Sequence, residues 1–152
     1  MSVAAHVFEG CCHCGAIGFT FRASEPPDRW QVHACQCSFC RAHGARTASD
    51  LAGTVRFRID DESLLHRYRF GLRSADFLVC RTCGVFIASV MSSPHGRFAT
   101  VSINAIRTPV DVAHAVAMKY DDESLEQKQR RREQRWTPVI EMDSSLSRLS
   151  AR

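Results

Sequence analysis

Eight cysteines in three tight groups are the feature that most narrows what this chain can become. Cys11, Cys12 and Cys14 form the first group, Cys35, Cys37 and Cys40 the second, and Cys80 and Cys83 the third. A disulfide framework spreads its cysteines so that each bridge closes a loop. Tight groups separated by wide gaps instead suit reduced thiolates that converge on metal, as in a cytoplasmic protein. Zinc is the expected ion, because it accepts thiolates, carries no redox chemistry and tolerates tetrahedral sulfur coordination; an iron–sulfur cluster is the minor alternative. A structural zinc takes four ligands, whereas a catalytic zinc keeps one position open. Eight cysteines therefore allow two four-cysteine sites, or one four-cysteine site, one three-cysteine site and a spare.

The chain has 152 residues, 45% hydrophobic and 24% charged. That is one domain's worth of sequence with enough apolar material for a core, which excludes a disordered tail, a collagen or a coiled coil. No apolar run is long enough for a membrane helix, and the first ten residues lack the basic and apolar regions of a signal peptide. The formal charge is +4. Thiolates on two zinc ions would bring it to about +1, so neither nucleic acid nor a membrane is an expected partner.

Strand patterning dominates. His6 to Gly10 reads as an opening strand, and Ala16 to Arg22 alternates with Ile17, Phe19 and Phe21 on one face. Gln31 to Cys35 leads as a strand into the second cysteine group. Gly53 to Ile59 puts Val55, Phe57 and Ile59 inward and Arg56 and Arg58 outward. Leu65 to Phe70, Ala75 to Val79, Val85 to Met91 and Phe98 to Ile103 complete a mainly antiparallel set. The C-terminal part differs. Acidic Asp121-Asp122-Glu123 precedes the basic run Lys128 to Arg135, which predicts a helix over Glu123 to Trp136, stopped by Pro138. Arg130-Arg131-Arg132 is a candidate phosphate site, but the preferred reading is a solvated face that complements the helix dipole. Residues 1–120 are expected to form the zinc-binding β domain, and 121–152 a helix and a loose tail.

Three segments carry a family resemblance. Gly10-Cys11-Cys12-His13-Cys14-Gly15 resembles the G-x-C-x-C-G opening of the glutathione-dependent formaldehyde-activating enzyme (GFA) family, which also contains the centromere protein V domain. Cys35-Gln36-Cys37-Ser38-Phe39-Cys40-Arg41 resembles its C-x-C-S-x-C-R core. Phe77-Leu78-Val79-Cys80-Arg81-Thr82-Cys83-Gly84 resembles its apolar strand into C-x-x-C-G. The three stand in the family's order over residues 5 to 108. The resemblance implies a β-tent fold of small antiparallel sheets organised around zinc. It implies a structural zinc on Cys12, Cys14, Cys80 and Cys83, and a catalytic-type zinc on Cys35, Cys37 and Cys40, with Cys11 as the spare. The chemistry of the spacing agrees. An ion shared by the first and third groups would cross-link distant parts of the chain, and the second group is compact enough to leave a coordination position open.

The activity implied is that of a carbon–sulfur lyase run in reverse: glutathione and formaldehyde condense to S-hydroxymethylglutathione. Zinc would hold the thiol or polarise the aldehyde. Three thiolates already make the ion electron-rich, which favours thiol capture. Arg41, inside the second motif, is the candidate for a substrate carboxylate, with Arg46 and Arg73 as alternatives. Ser38, His13, His33, His43 and Asn104 are further polar candidates near the site. The competing reading is a non-catalytic zinc-stabilised binding module on the same fold. Such a module needs only Cys12, Cys14, Cys80 and Cys83, and the second cysteine group argues for the enzyme.

Overall fold

The structure, a computed structural model, describes residues 5–112 and 114–141. Its strands are β1 (His6–Cys11), β2 (Ile17–Ala23), β3 (His33–Cys35), β4 (Thr47–Ala48), β5 (Thr54–Ile59), β6 (Leu65–Tyr68), β7 (Asp76–Cys80), β8 (Phe86–Ser93), β9 (Gly96–Ser102), β10 (Val116–Met118) and β11 (Thr137–Glu141). Two helices join them, α1 (Ser38–His43) and α2 (Leu125–Arg135). The fold is mainly β, in the β-tent manner, with a helix near the C-terminus.

The eleven strands form one hydrogen-bonded network of two sheets joined through β11. The first runs β1-β2-β5-β11. The second carries β6-β7-β8-β9, and the far edge of β9 pairs with both β11 and β4, beyond which lie β3 and β10. Most pairs are antiparallel; β5 with β11 and β3 with β10 are parallel. Alternation explains the core. Ile17 pairs with Ile59, Phe19 with Phe57 and Phe21 with Val55 across β2 and β5, and all six side chains are buried. They pack in one cluster with Leu78, Ile87, Val90 and Val101 from the second sheet. Each such side chain contributes about 1.5–3 kcal/mol on burial. Trp30 caps one end, edge-on to Phe8 and Phe21, and its indole N–H donates to the Glu25 carbonyl at 2.8 Å.

The C-terminal region departs from the sequence reading in three ways. Helix α2 begins at Leu125 rather than in the acidic run: Ser124 is the N-cap, in a capping box with Gln127. The helix ends at Arg135, and Pro138 then lies within β11, where residues 137–138 pair with β9 and 139–141 with β5. The solvated-face reading of the arginine run holds for Arg130, which is exposed and pairs with Glu126 at 3.0 Å. It fails for Arg131 and Arg132, which turn inward, Arg132 retaining 8% exposure. The reason is tertiary: Trp136, at the end of the helix, is buried against Ala75, Met91 and Phe98, which rolls that face onto the sheet. The expectation of a loose tail over 143–152 lies outside the described residues.

Candidate metal centre and its cavity

Two groups of thiols converge, and both follow from how strands end. Cys12 and Cys14 sit in the turn between β1 and β2; Cys80 closes β7 and Cys83 lies in the turn into β8. Each turn is a knuckle completed by a glycine with positive φ, Gly15 at 87° and Gly84 at 78°. Side chains rarely adopt that conformation, at a cost of about 1–2 kcal/mol. Gly84→Ala is therefore expected to lose about 1–2 kcal/mol in a denaturant titration while keeping its metal content.

The four sulfurs of Cys12, Cys14, Cys80 and Cys83 lie within 4.8 Å of one another. Cys14 Sγ is 3.7 Å from Cys12 Sγ and 3.5 Å from Cys80 Sγ. Tetrahedral zinc–sulfur bonds of about 2.3 Å imply sulfur–sulfur separations of about 3.8 Å, so the donor set fits. Burial, the strongest single influence on Cys83, pushes its thiol up, but N–H bonds from Cys14 and Val85 and thiol bonds from Cys80 and Cys12 together bring it down to about 6. The Ile17 N–H also donates to Cys12 Sγ at 3.4 Å. These are the bonds a thiolate cluster requires.

Cys35, Cys37 and Cys40 form the second group, again within 4.8 Å. Cys35 ends β3, Cys37 is the N-cap of α1, and Cys40 is one turn into that helix. The Cys40 N–H donates to Cys37 Sγ at 3.4 Å. A hydrogen bond from Cys40 brings the Cys35 thiol down to about 6 against the opposing effect of burial, while the same bond, with burial, pushes Cys40 up. Three cysteine sulfurs in contact are a soft donor set with room for one more ligand.

This second group lies in a cavity of about 290 Å³. Phe70, Phe77 and Phe86 form an aromatic wall, linked through Phe39, whose ring centroid is 4.8 Å from that of Phe77. Polar side chains line the cavity as well. β10 runs parallel to β3 and carries the chain on to Tyr120, whose hydroxyl is 3.3 Å from His33 Nδ1. Burial, reinforced by the charges of Arg135 and Arg131, holds His33 below the usual imidazole range, so it is neutral at pH 7. Its Nε2 is buried without a hydrogen-bond partner. Helix α2 then crosses the cavity with Lys128, Arg131, Arg132 and Arg135.

The other candidates are placed elsewhere. Arg41 is exposed on α1 and does not line the cavity. Arg46 donates to Asn104 Oδ1 at 2.9 and 3.0 Å, and Asn104 donates to the Gly44 carbonyl, so both hold the loop after α1. Arg73 lines a separate pocket. The rings of His43 and Phe39 are tilted at 35° with centroids 4.4 Å apart, and His13 and His33 join neither sulfur group. Ser38 is the first residue of α1 and does not reach the cavity. Cys11 stands outside both groups and accepts from Arg107 Nε at 3.1 Å. Sequence reasoning missed the cavity's basic wall. The signal was present in the spacing of Lys128, Arg131, Arg132 and Arg135, which recur on one helical face.

No helix among the described residues is long and apolar enough to cross a membrane. The chain resembles a solved structure, that of a Rhodobacter sphaeroides protein from a structural genomics programme. The two are 27% identical, over 72% of this chain and 99% of the other, with a TM-score of 0.56. No curated protein matches it. The family described as glutathione-dependent formaldehyde-activating enzyme matches residues 7–122, a segment that holds both sulfur groups and stops just short of α2. With three quarters of the sequence matched and the motif cysteines gathered into two metal-competent groups, this chain belongs to the glutathione-dependent formaldehyde-activating enzyme family.

Proposed function

We propose that the protein is a zinc-dependent carbon–sulfur lyase of the GFA type, joining a glutathione-like thiol to a small aldehyde, with glutathione plus formaldehyde as the parent reaction. The observation that carries this reading is the position of Cys35, Cys37 and Cys40 inside a cavity rather than in a closed shell of protein. Those three residues would hold the catalytic-type zinc, and Cys12, Cys14, Cys80 and Cys83 the structural one. When bound, the catalytic-type ion supplies a cationic position at which a substrate thiol persists as its thiolate.

The chain's own residues then do the rest. The thiol sulfur adds to the aldehyde carbon, forming a carbon–sulfur bond. The carbonyl π pair moves to oxygen, which takes up the proton the thiol gave away; nothing is oxidised. His33 is the proton carrier in this reading. With Nδ1–H donating to the Tyr120 oxygen, the unpartnered Nε2 is the acceptor that receives the thiol proton and returns it to the new hydroxyl. The wall of Phe70, Phe77 and Phe86 keeps bulk water from the reacting carbon.

Elemental analysis beside a thiol titration tests the metal assignment. Two zinc ions per chain with one reactive thiol, that of Cys11, is the expected result. One zinc with four free thiols would instead favour a zinc-stabilised binding module. NMR exchange of labelled formaldehyde with glutathione tests the reaction, and exchange no faster than without protein would remove it.

A further inference from the structure

The cavity contains six charged side chains: Asp121, Glu123, Lys128, Arg131, Arg132 and Arg135. Their internal pairing is unequal. Glu123 accepts from Arg131 Nε with both oxygens, at 3.0 and 3.1 Å, and lies 4.0 Å from Lys128 Nζ. Arg131 also stacks over the Tyr120 ring at 3.6 Å, and Lys128 donates to the Tyr120 carbonyl at 2.8 Å. These two cations fix the helix to the segment that follows β10.

Arg132 is different. It is more than nine-tenths buried, yet it has no carboxylate partner among the described residues. Its Nη1 donates to Ser74, to Oγ at 2.8 Å and to the carbonyl at 3.4 Å, and its guanidinium lies 4.8 Å from the Trp136 ring. Its Nε is buried with no partner. Burial, then the adjacent Arg131 charge, lowers the guanidinium to about 10, the direction expected of a cation short of a counter-ion. Arg135, one turn on, lines the same cavity with no acidic side-chain partner among the described residues. A buried cation with a free donor edge is costly unless something anionic completes it, and a guanidinium edge matches a carboxylate.

We propose that the inward face of α2, centred on Arg132 with Arg135 beside it, is the recognition wall for a carboxylate on the thiol substrate. This rests on the reading that the second cysteine group receives a thiol. It places substrate selection on an element beyond the segment that the family matches, residues 7–122. It also moves carboxylate binding away from Arg41. Thiols that carry an acid group are substrates, and neutral thiols of the same shape are poor ones.

The test is calorimetry on the zinc-loaded full chain with three probes: glutathione, its diamide with both carboxylates made neutral, and S-methylglutathione with the sulfur blocked. Glutathione is expected to bind at least about tenfold more tightly than the diamide, the usual worth of a charge-assisted hydrogen bond. Arg132→Gln should bring glutathione down to the diamide's affinity and leave the diamide unchanged. Arg135→Gln, an exposed change that does not disturb packing, should weaken glutathione severalfold, and it carries the test if Arg132→Gln fails to fold. Equal affinity for glutathione and diamide, or wild-type affinity in both variants, overturns the proposal. If S-methylglutathione binds as tightly as glutathione and depends equally on Arg132, the carboxylate wall stands and thiol capture falls. If the diamide matches glutathione but S-methylation abolishes binding, thiol capture stands and the wall falls.

Discussion

Cys80→Ser should leave no stably folded protein. Cys14 and Cys80 are 66 positions apart, and their sulfurs are 3.5 Å apart, so an ion held there ties the β1–β2 turn to the β7–β8 turn. Closing that loop is entropically costly for the chain, and metal binding offsets the cost. In small zinc peptides such a site contributes about 10–16 kcal/mol at neutral pH, whereas a whole domain is stable by about 5–15 kcal/mol. Serine is a poor zinc donor, and at this position it would also place a hydroxyl in a side-chain site that is 1% exposed, within the apolar cluster. Soluble yield and thermal unfolding decide the matter. A melting curve like that of the wild type would show that these four cysteines do not hold a structural ion.

Cys37→Ser should behave in the opposite way: folded, one zinc short and without turnover. Its ligand group spans only Cys35 to Cys40, so the loop it closes is already short and the ion adds little to global stability. The local structure also survives. Cys37 caps α1 by accepting the Cys40 N–H, and serine is among the preferred residues for that role. The expected loss is about 1–2 kcal/mol, a shift of a few degrees in the melting temperature. Metal content should fall by one ion, and formaldehyde–glutathione exchange should drop to the uncatalysed rate. Full exchange activity in this variant would remove the second cysteine group from the chemistry. The pair of variants separates two roles that one chemical change, thiol to hydroxyl, could otherwise blur.

The strands that were legible are those with a face to bury. Ile17, Phe19 and Phe21 on β2, and Val55, Phe57 and Ile59 on β5, alternate because every second side chain meets the other sheet. β4 and β10, of two and three residues, are too short to show a period, and they exist because β3 and β9 offer free edges to pair with. α1 was hidden inside the cysteine motif, where residues chosen for sulfur and polarity leave no helical apolar stripe. β11 was hidden by Pro138, which reads as a terminator. It terminates the helix and also tolerates a strand, and only the gap between β5 and β9 determines that the chain enters it.

The same division runs through the candidate site. The chain's own order determined each local run of cysteines, because ligands two or three positions apart meet by local turn geometry alone, and the three-motif pattern pointed to the family on that basis; bringing Cys12 and Cys14 to Cys80 and Cys83 took the tertiary structure. It also determined that a basic helix follows the β region. Which way that helix faces was a tertiary decision. Four cations on one face are as compatible with solvent as with a cavity, and charge patterning alone does not distinguish them. Burial of Trp136 and the hold of Glu123 on Arg131 turn the face inward, over cysteines some ninety residues earlier in the chain, and leave Arg132 buried with a donor to spare.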